Sequence, residues 1–286
     1  MKTLLFSLIM IINLACFGQE ELESILNDET QESSTIVAAT FKGTRIINGH
    51  SVETRKKNNL EFLISHRFGR INSGADELFG LDDSNIRFGF EYALTDNFSI
   101  AIGRSSFEKT YDTYVKYKLI NQKIGKKSFP FSLTYFGSIT EKTLKNYDPN
   151  DKPTFANRLT YTNQLLIAKK FSSSFSFQIT PTYIHFNTVR ATEDNNNIYA
   201  IGFGSRMKLS KRISLNAEYF YNTNQFKSRD FKNSLALGID IETGGHVFQL
   251  IFSNSRSMIE KGFIAETTGD FFKGDIHFGF NISRAF

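Results

Sequence analysis

From Leu60 onward, large apolar residues alternate with polar or small ones, segment after segment. Ile86, Phe88, Phe90, Tyr92 and Leu94 stand against Arg87, Gly89, Glu91 and Ala93, and Phe98, Ile100 and Ile102 against Ser99, Ala101 and Gly103. Ile213, Leu215, Ala217, Tyr219 and Tyr221 alternate with Ser214, Asn216, Glu218 and Phe220. Leu235, Leu237, Ile239 and Ile241 alternate with Ala236, Gly238, Asp240 and Glu242, and Ile276, Phe278, Phe280 and Ile282 with His277, Gly279, Asn281 and Ser283. A period of two belongs to extended strands whose two faces meet different surroundings. Less regular runs cover about 60–68, 110–120, 129–139, 158–170, 175–186, 198–209 and 246–254. The pattern predicts about twelve strands of roughly 9–12 residues, the length a tilted strand needs to cross a bilayer.

The connections sort into two lengths. Tight links fall at Thr95-Asp96-Asn97, Phe171-Ser172-Ser173-Ser174, Ser210-Lys211-Arg212 and Gly244-Gly245, where Asn, Gly and Ser supply hairpin-turn chemistry. Longer polar links fall at about 69–83, 140–157, 187–197, 222–232 and 255–272. Short periplasmic turns alternating with long extracellular loops give this rhythm in outer-membrane barrels, and an even strand count puts both termini in the periplasm. The expected fold is therefore all-β, a closed antiparallel transmembrane β-barrel of about 12 strands over residues 58–286. A soluble sandwich or lipocalin-like barrel also alternates, but needs neither export nor such uniformly long strands.

Composition narrows this only a little. The 286 residues are 40% hydrophobic, with 30 Phe, 11 Tyr and only 4 Pro. Mean hydropathy is below zero, which suits a barrel as well as a soluble protein, because only alternate residues face lipid. Lys2, the apolar run Leu4 to Leu14, and Ala15 to Gly18 read as a signal peptide over 1–18, with cleavage near Gly18 and Gln19. An apolar N-terminal helix on a soluble protein is the alternative, disfavoured by the abrupt acidic start at Glu20, Glu21 and Glu23. Asn13-Leu14-Ala15-Cys16 approaches a lipoprotein box, but Asn13 stands where such boxes place a Leu-like residue. Cleavage after Gly18 removes Cys16, the sole cysteine, and with it disulfides and thiolate chemistry. Residues 19–57 form a periplasmic leader or a lumen or cap segment, with the stretch 35–57 open between a short strand, a plug and a cap.

The net charge of +5 invites nucleic acid as a partner. Lys and Arg are spread along the whole chain, however, so a solvated or lumen-facing distribution is preferred and no nucleic-acid partner is expected. The expected partners are outer-membrane lipid, the barrel-insertion machinery and a small polar solute. The chain ends on an alternating strand with a terminal Phe, and Phe278, Phe280, Ile282 and Phe286 resemble the barrel-assembly signal; Arg284 departs from the usual aromatic or aliphatic residue two places before the end.

Thr40 to Glu53, Ser65-His66-Arg67-Phe68-Gly69, Phe79-Gly80-Leu81-Asp82, Asn85-Ile86-Arg87-Phe88-Gly89 and Tyr111 to Leu119 together resemble the flavobacterial outer-membrane β-barrel family designated domain of unknown function 5777. The resemblance implies an outer-membrane barrel from a bacterium of the Bacteroidota. It brings no activity and no catalytic residues.

Little in the sequence suggests an enzyme. His50, His66, His185, His246 and His277 show no metal-ligand spacing, phosphate loops are absent, and no cofactor, metal or catalytic residue is expected. The Gly-x-Gly at Gly202 and Gly204 lies within a strand and places small residues toward the lumen. His277 lies on the polar face, where closure between first and last strands would bring it near Glu61 as a structural pair. Arg87, Glu91, Lys116, Arg158, Arg206, Glu218, Asp240 and His277 are the candidate lumen-lining residues. Three functions fit: a narrow diffusion channel for small polar solutes, a structural or partner-binding barrel with a plugged lumen, or a barrel hydrolase.

Overall fold

Alternation becomes geometry in twelve strands. The computed structural model describes residues 34–145, 153–243 and 245–286; the expected signal peptide lies outside them. The strands are β1 (Leu60–Arg70), β2 (Ser84–Ala93), β3 (Phe98–Ser105), β4 (Thr110–Ile120), β5 (Ser132–Lys142) and β6 (Leu159–Lys170). Then follow β7 (Phe175–Phe186), β8 (Asn197–Lys208), β9 (Ile213–Asn222), β10 (Ser234–Thr243), β11 (His246–Ser253) and β12 (His277–Ala285). Each pairs antiparallel with its sequence neighbours, and β12 pairs with β1, so the barrel is closed and has no free edge. The Leu60 and Phe286 backbones bond each other in both directions, at 3.2 and 2.8 Å, which seals the seam.

The closing register corrects one expectation. Ala285 stands opposite Glu61 and His277 opposite Arg70, so His277 and Glu61 lie at opposite ends of the seam. Antiparallel pairing forces this, because the beginning of the last strand must meet the end of the first.

Both ends of the barrel domain lie at one rim, the turn end, with the tight links 94–97, 171–174 and 209–212. The links 71–83, 187–196, 223–233 and 254–276, and the described residues 143–145 and 153–158, lie at the other, the loop end. One loop-end link is short: Ser106 to Lys109 turns with φ 53° at Glu108 and 49° at Lys109. A type I′-like turn needs such values, and it usually takes Asn-Gly to adopt them. Residues 34–38 and 121–130 form a separate small unit, in which Thr35–Ile36 pairs with Lys123–Ile124.

The outward face is a band of large apolar residues, among them Phe88, Phe90, Ile100, Leu215 and Leu237. Cross-strand rings reinforce it, with Phe62 and Phe90 stacked at 4.8 Å and Phe68 and Phe278 at 5.8 Å. Arginine at Phe88, Ile239 or Phe278 is expected to cost about 2–4 kcal/mol near the bilayer midplane and to lower assembly yield in lipid vesicles. Parental yields for all three would remove these positions from the lipid face.

The inward face departs from a purely polar lumen. Phe136, Leu166, Ile184, Ile198, Phe220 and Ile251 point inward and are almost fully buried. They pack against two segments held inside the ring of strands. One is the hairpin 39–57, whose Phe41, Ile46, Ile47 and Val52 cluster with Phe136, Leu166 and Ile251. The other is α1 (Glu260–Ala265), whose Phe263 and Ile264 cluster with Ile184, Ile198 and Phe220.

Candidate functional site

The hairpin enters and leaves at the turn end. Lys42 pairs with Glu242 at 3.0 Å, Glu53 with Lys118 at 3.3 Å, and the Thr54 hydroxyl donates to the Asp96 carbonyl at 2.7 Å. Its own ladder is short: Arg45 bridges His50, the Ile46 amide donates to the Gly49 carbonyl at 2.9 Å, and the Ser51 amide to the Thr44 carbonyl at 3.0 Å. So few internal bonds leave most of its buried backbone groups to find partners elsewhere.

Wall side chains supply them. At the tip, the Glu218 carboxylate accepts from the Ile47 amide at 3.1 Å and from the Gly49 amide at 2.9 and 3.1 Å. Arg67 donates to the Asn48 side chain at 2.8 Å, Asn281 to the Ile47 carbonyl at 2.9 Å, and Gln249 to the Ile46 carbonyl at 2.6 Å. Gln178 accepts from the Val52 amide at 3.0 Å and donates to the His50 carbonyl at 2.8 Å. The Lys116 ammonium donates to the carbonyls of Thr44 and Glu53, and Thr134 to that of Val52. Gly204 and Gly238 give the apolar tip its space: a Cβ on Gly204 would stand 2.4 Å from Ile46 Cδ1, and one on Gly238 3.3 Å from Ile47 Cγ1.

The helix α1 meets the hairpin from the loop end. Glu260 lies 3.4 Å from both the Arg45 guanidinium and the His50 ring, which packs on Tyr114 and Phe136 at 4.6 and 4.2 Å. The next residue, Lys261, faces the other way, to Glu108 at 3.0 Å and Glu266 at 2.9 Å. Lys142 also pairs with Glu108. Burial pushes the Glu108 carboxyl up, but Lys261 and Lys142 outweigh it and hold the group at about 2, below its ordinary 4.5. A depressed acid stabilises fully above 4.5 and loses that contribution as pH falls toward 2. Exchange protection of residues 254–276 is therefore expected to fall across that window. Glu108→Gln is expected to show the lower protection already at neutral pH, and unchanged protection in both measurements would sink this latch.

The structure scatters the eight candidate lumen residues along the wall. Arg87 is buried and grips Asp112 with two bonds, at 3.0 and 2.5 Å. Glu91 accepts from the Tyr114 hydroxyl at 2.9 Å. Lys116 and Glu218 hold the hairpin, Arg206 pairs with Glu242 at 2.7 Å, and Asp240 accepts from Gln249 at 2.6 Å. Arg158 is half-buried on the turn before β6 and pairs with Glu141 at 2.9 Å. His277 donates through its ring to the Phe68 carbonyl at 2.8 Å. Of the terminal residues, Phe278, Phe280 and Ile282 lie on the outward face of β12, and Phe286 follows its end, exposed and under the Arg284 guanidinium. The neutral hairpin partners Gln178, Gln249, Asn281 and Thr134 carry no charge to mark them in the sequence; their one signal there is the inward parity of each on its strand.

The family model of a membrane-bound β-barrel domain, domain of unknown function 5777, matches residues 41–286. The chain belongs to this family. Its domain thus begins inside the hairpin, so hairpin and wall are parts of one family unit. No curated protein matches this family member. Among solved structures, the KdgM porin in complex with disordered oligogalacturonate covers 79% of this chain and 99% of its own, at 8% identity and a TM-score of 0.50. The NanC porin covers 79% and 98% at 7% identity and a TM-score of 0.48. An outer membrane channel from Pseudomonas putida F1 covers 86% and 100% at 12% identity and a TM-score of 0.47. The KdgM likeness shows a shared porin-type fold.

Proposed function

We propose that this barrel is a narrow diffusion channel for small polar solutes in the bacterial outer membrane, closed at rest by its own hairpin. The observation that carries the reading is the way the hairpin is held. A wall that only had to be filled could be filled by its own side chains. Here a separate segment, entering and leaving by the same end, is bound through its backbone by Glu218, Gln178, Gln249 and Lys116, as a ligand would be. Once it withdraws, Arg87, Glu91, Lys116, Arg206, Glu218 and Asp240 line the path and set its ion preference, without catalysis.

The reading includes export by residues 1–18 in a bacterium of the flavobacterial group, insertion by the barrel machinery through the Phe286 terminus, and both termini in the periplasm. The loop end then faces outward.

Planar-bilayer conductance tests it. The parent is expected to be nearly silent, and Gly204→Leu, whose side chain takes the place of Ile46, to conduct. A folded Gly204→Leu barrel whose hairpin is open to protease yet passes no current would defeat the channel and leave the plugged structural or partner-binding barrel, which the complete burial of Ile47, Ser51 and Val52 favours.

A further inference from the structure

The loop end holds a cavity of about 610 Å³ that the hairpin does not reach. Five cations line it: Lys142, Arg158, Arg190, Arg229 and Lys261. Two carboxylates line it with them, Asp194 and Glu266. Most of these charges are already satisfied. Lys142 and Lys261 face Glu108, Lys261 also faces Glu266, and Arg158 faces Glu141. Asp194 accepts from the Lys227 and Ser228 amides and from the Ser228 hydroxyl. Arg190 is the weakest held of the paired cations, 3.6 Å from a Glu108 carboxylate that Lys142 and Lys261 already share, and Arg229 makes no ion pair among the described residues. Both also border a second cavity of about 390 Å³, so they stand on the partition between the two.

Three phenylalanines line the cavity as well. Phe186, Phe226 and Phe231 are buried in an edge-to-face chain, with centroids 5.1 and 5.8 Å apart. The cavity is lined by the loop ends of β6 and β7, by Lys261 and Glu266, and by residues of the loops 187–196 and 223–233. Its volume is that of a small-molecule pocket. A planar guanidinium matches a carboxylate or phosphate with two parallel bonds, and aromatic rings take a flat apolar body.

We propose that this cavity is a binding site for a soluble organic anion, a flat apolar body bearing one phosphate or carboxylate, held at its charged end by Arg190 and Arg229 and on its face by Phe186, Phe226 and Phe231. The site goes beyond the channel reading and does not depend on it, since it exists with the hairpin in place.

The test is calorimetric titration of the parent barrel in detergent with phenylphosphate, and with benzyl alcohol and inorganic phosphate as the two halves of that probe. Phenylphosphate is expected to bind with one-to-one stoichiometry and more tightly than either half, with affinity falling as salt rises. Arg190 and Arg229 are exposed, so the double variant Arg190→Gln/Arg229→Gln should fold as the parent does. It is expected to weaken phenylphosphate about tenfold or more and to leave benzyl alcohol unchanged. Phe226→Leu should weaken phenylphosphate while leaving inorganic phosphate as it was. Parental affinity in the double variant, equal affinity for benzyl alcohol and phenylphosphate in the parent, or no binding of phenylphosphate would each overturn the site. Conductance is not read in this experiment, so its failure is separable from failure of the channel.

Discussion

Glu218→Ala is expected to release the hairpin while leaving the barrel closed. The carboxylate accepts every hydrogen bond that the Ile47 and Gly49 amides make to the wall. Alanine leaves two buried donors without an acceptor, at about 1–3 kcal/mol each, and removes the acid that faces Arg45 and Arg67. The two stranded donors alone amount to about 2–6 kcal/mol taken from the hairpin's attachment and none from the strand ladder. Limited proteolysis of folded protein should therefore cut within residues 40–53 at rates far above the parent's, and conductance should rise with it. Glu218→Gln keeps one acceptor oxygen but turns an NH₂ toward the donors, so an intermediate rate is expected. Parental protection in both variants would mean that apolar packing of Ile46 and Ile47 alone retains the hairpin.

The second large effect is expected at Asp112. Its carboxylate takes both guanidinium bonds of Arg87, and both groups are buried against Gly89 and Gly103. Asp112→Asn leaves the guanidinium without its counter-charge, and breaking such a buried pair costs about 3–5 kcal/mol. Replacing both partners together, Arg87→Met with Asp112→Leu, should be far milder, because neither charge is then stranded. Urea unfolding in lipid vesicles measures both. A single variant as stable as the parent would show that water reaches Arg87.

Much of this architecture is legible in the sequence. Strand parity placed Phe88, Ile239 and Phe278 outward, and Arg87, Glu218 and Asp240 inward, because a period of two leaves no other choice once one residue of a strand is oriented. The tight links at Asp96-Asn97 and Ser172-Ser173 carried their turn chemistry openly. The turn at Glu108-Lys109 did not, since the residues that adopt its left-handed backbone are not the Asn-Gly pair that announces one. The contents of the lumen were harder. Residues 39–57 are apolar and basic without periodicity, because most of their hydrogen bonds go to the wall rather than to a ladder of their own. A signal was nevertheless present: Phe220 between Tyr219 and Tyr221, Leu166 between Leu165 and Ile167, and Ile251 between Leu250 and Phe252 are apolar on both faces. A water-filled lumen does not call for inward-facing side chains of that kind; a filled one does. The pairing of His277 with Glu61 fails for a simpler reason: antiparallel strands bring the start of β12 to the end of β1, where Arg70 stands.

Because the segment at 39–57 goes in and comes out at the turn end, it is a finger in a ring and not a thread through it. Neither of its ends has to be drawn through the barrel for it to leave, and no strand has to open to let it pass. The strands can close into a ring first and receive the finger afterwards, or close around it, and both orders reach the same molecule. What resists withdrawal is then the set of bonds along its flanks, the fit of Ile46 and Ile47 at its tip, and the contact of Arg45 and His50 with Glu260. The helix that meets it from the loop end touches it through Glu260 and has its own hold through Lys261 on Glu108.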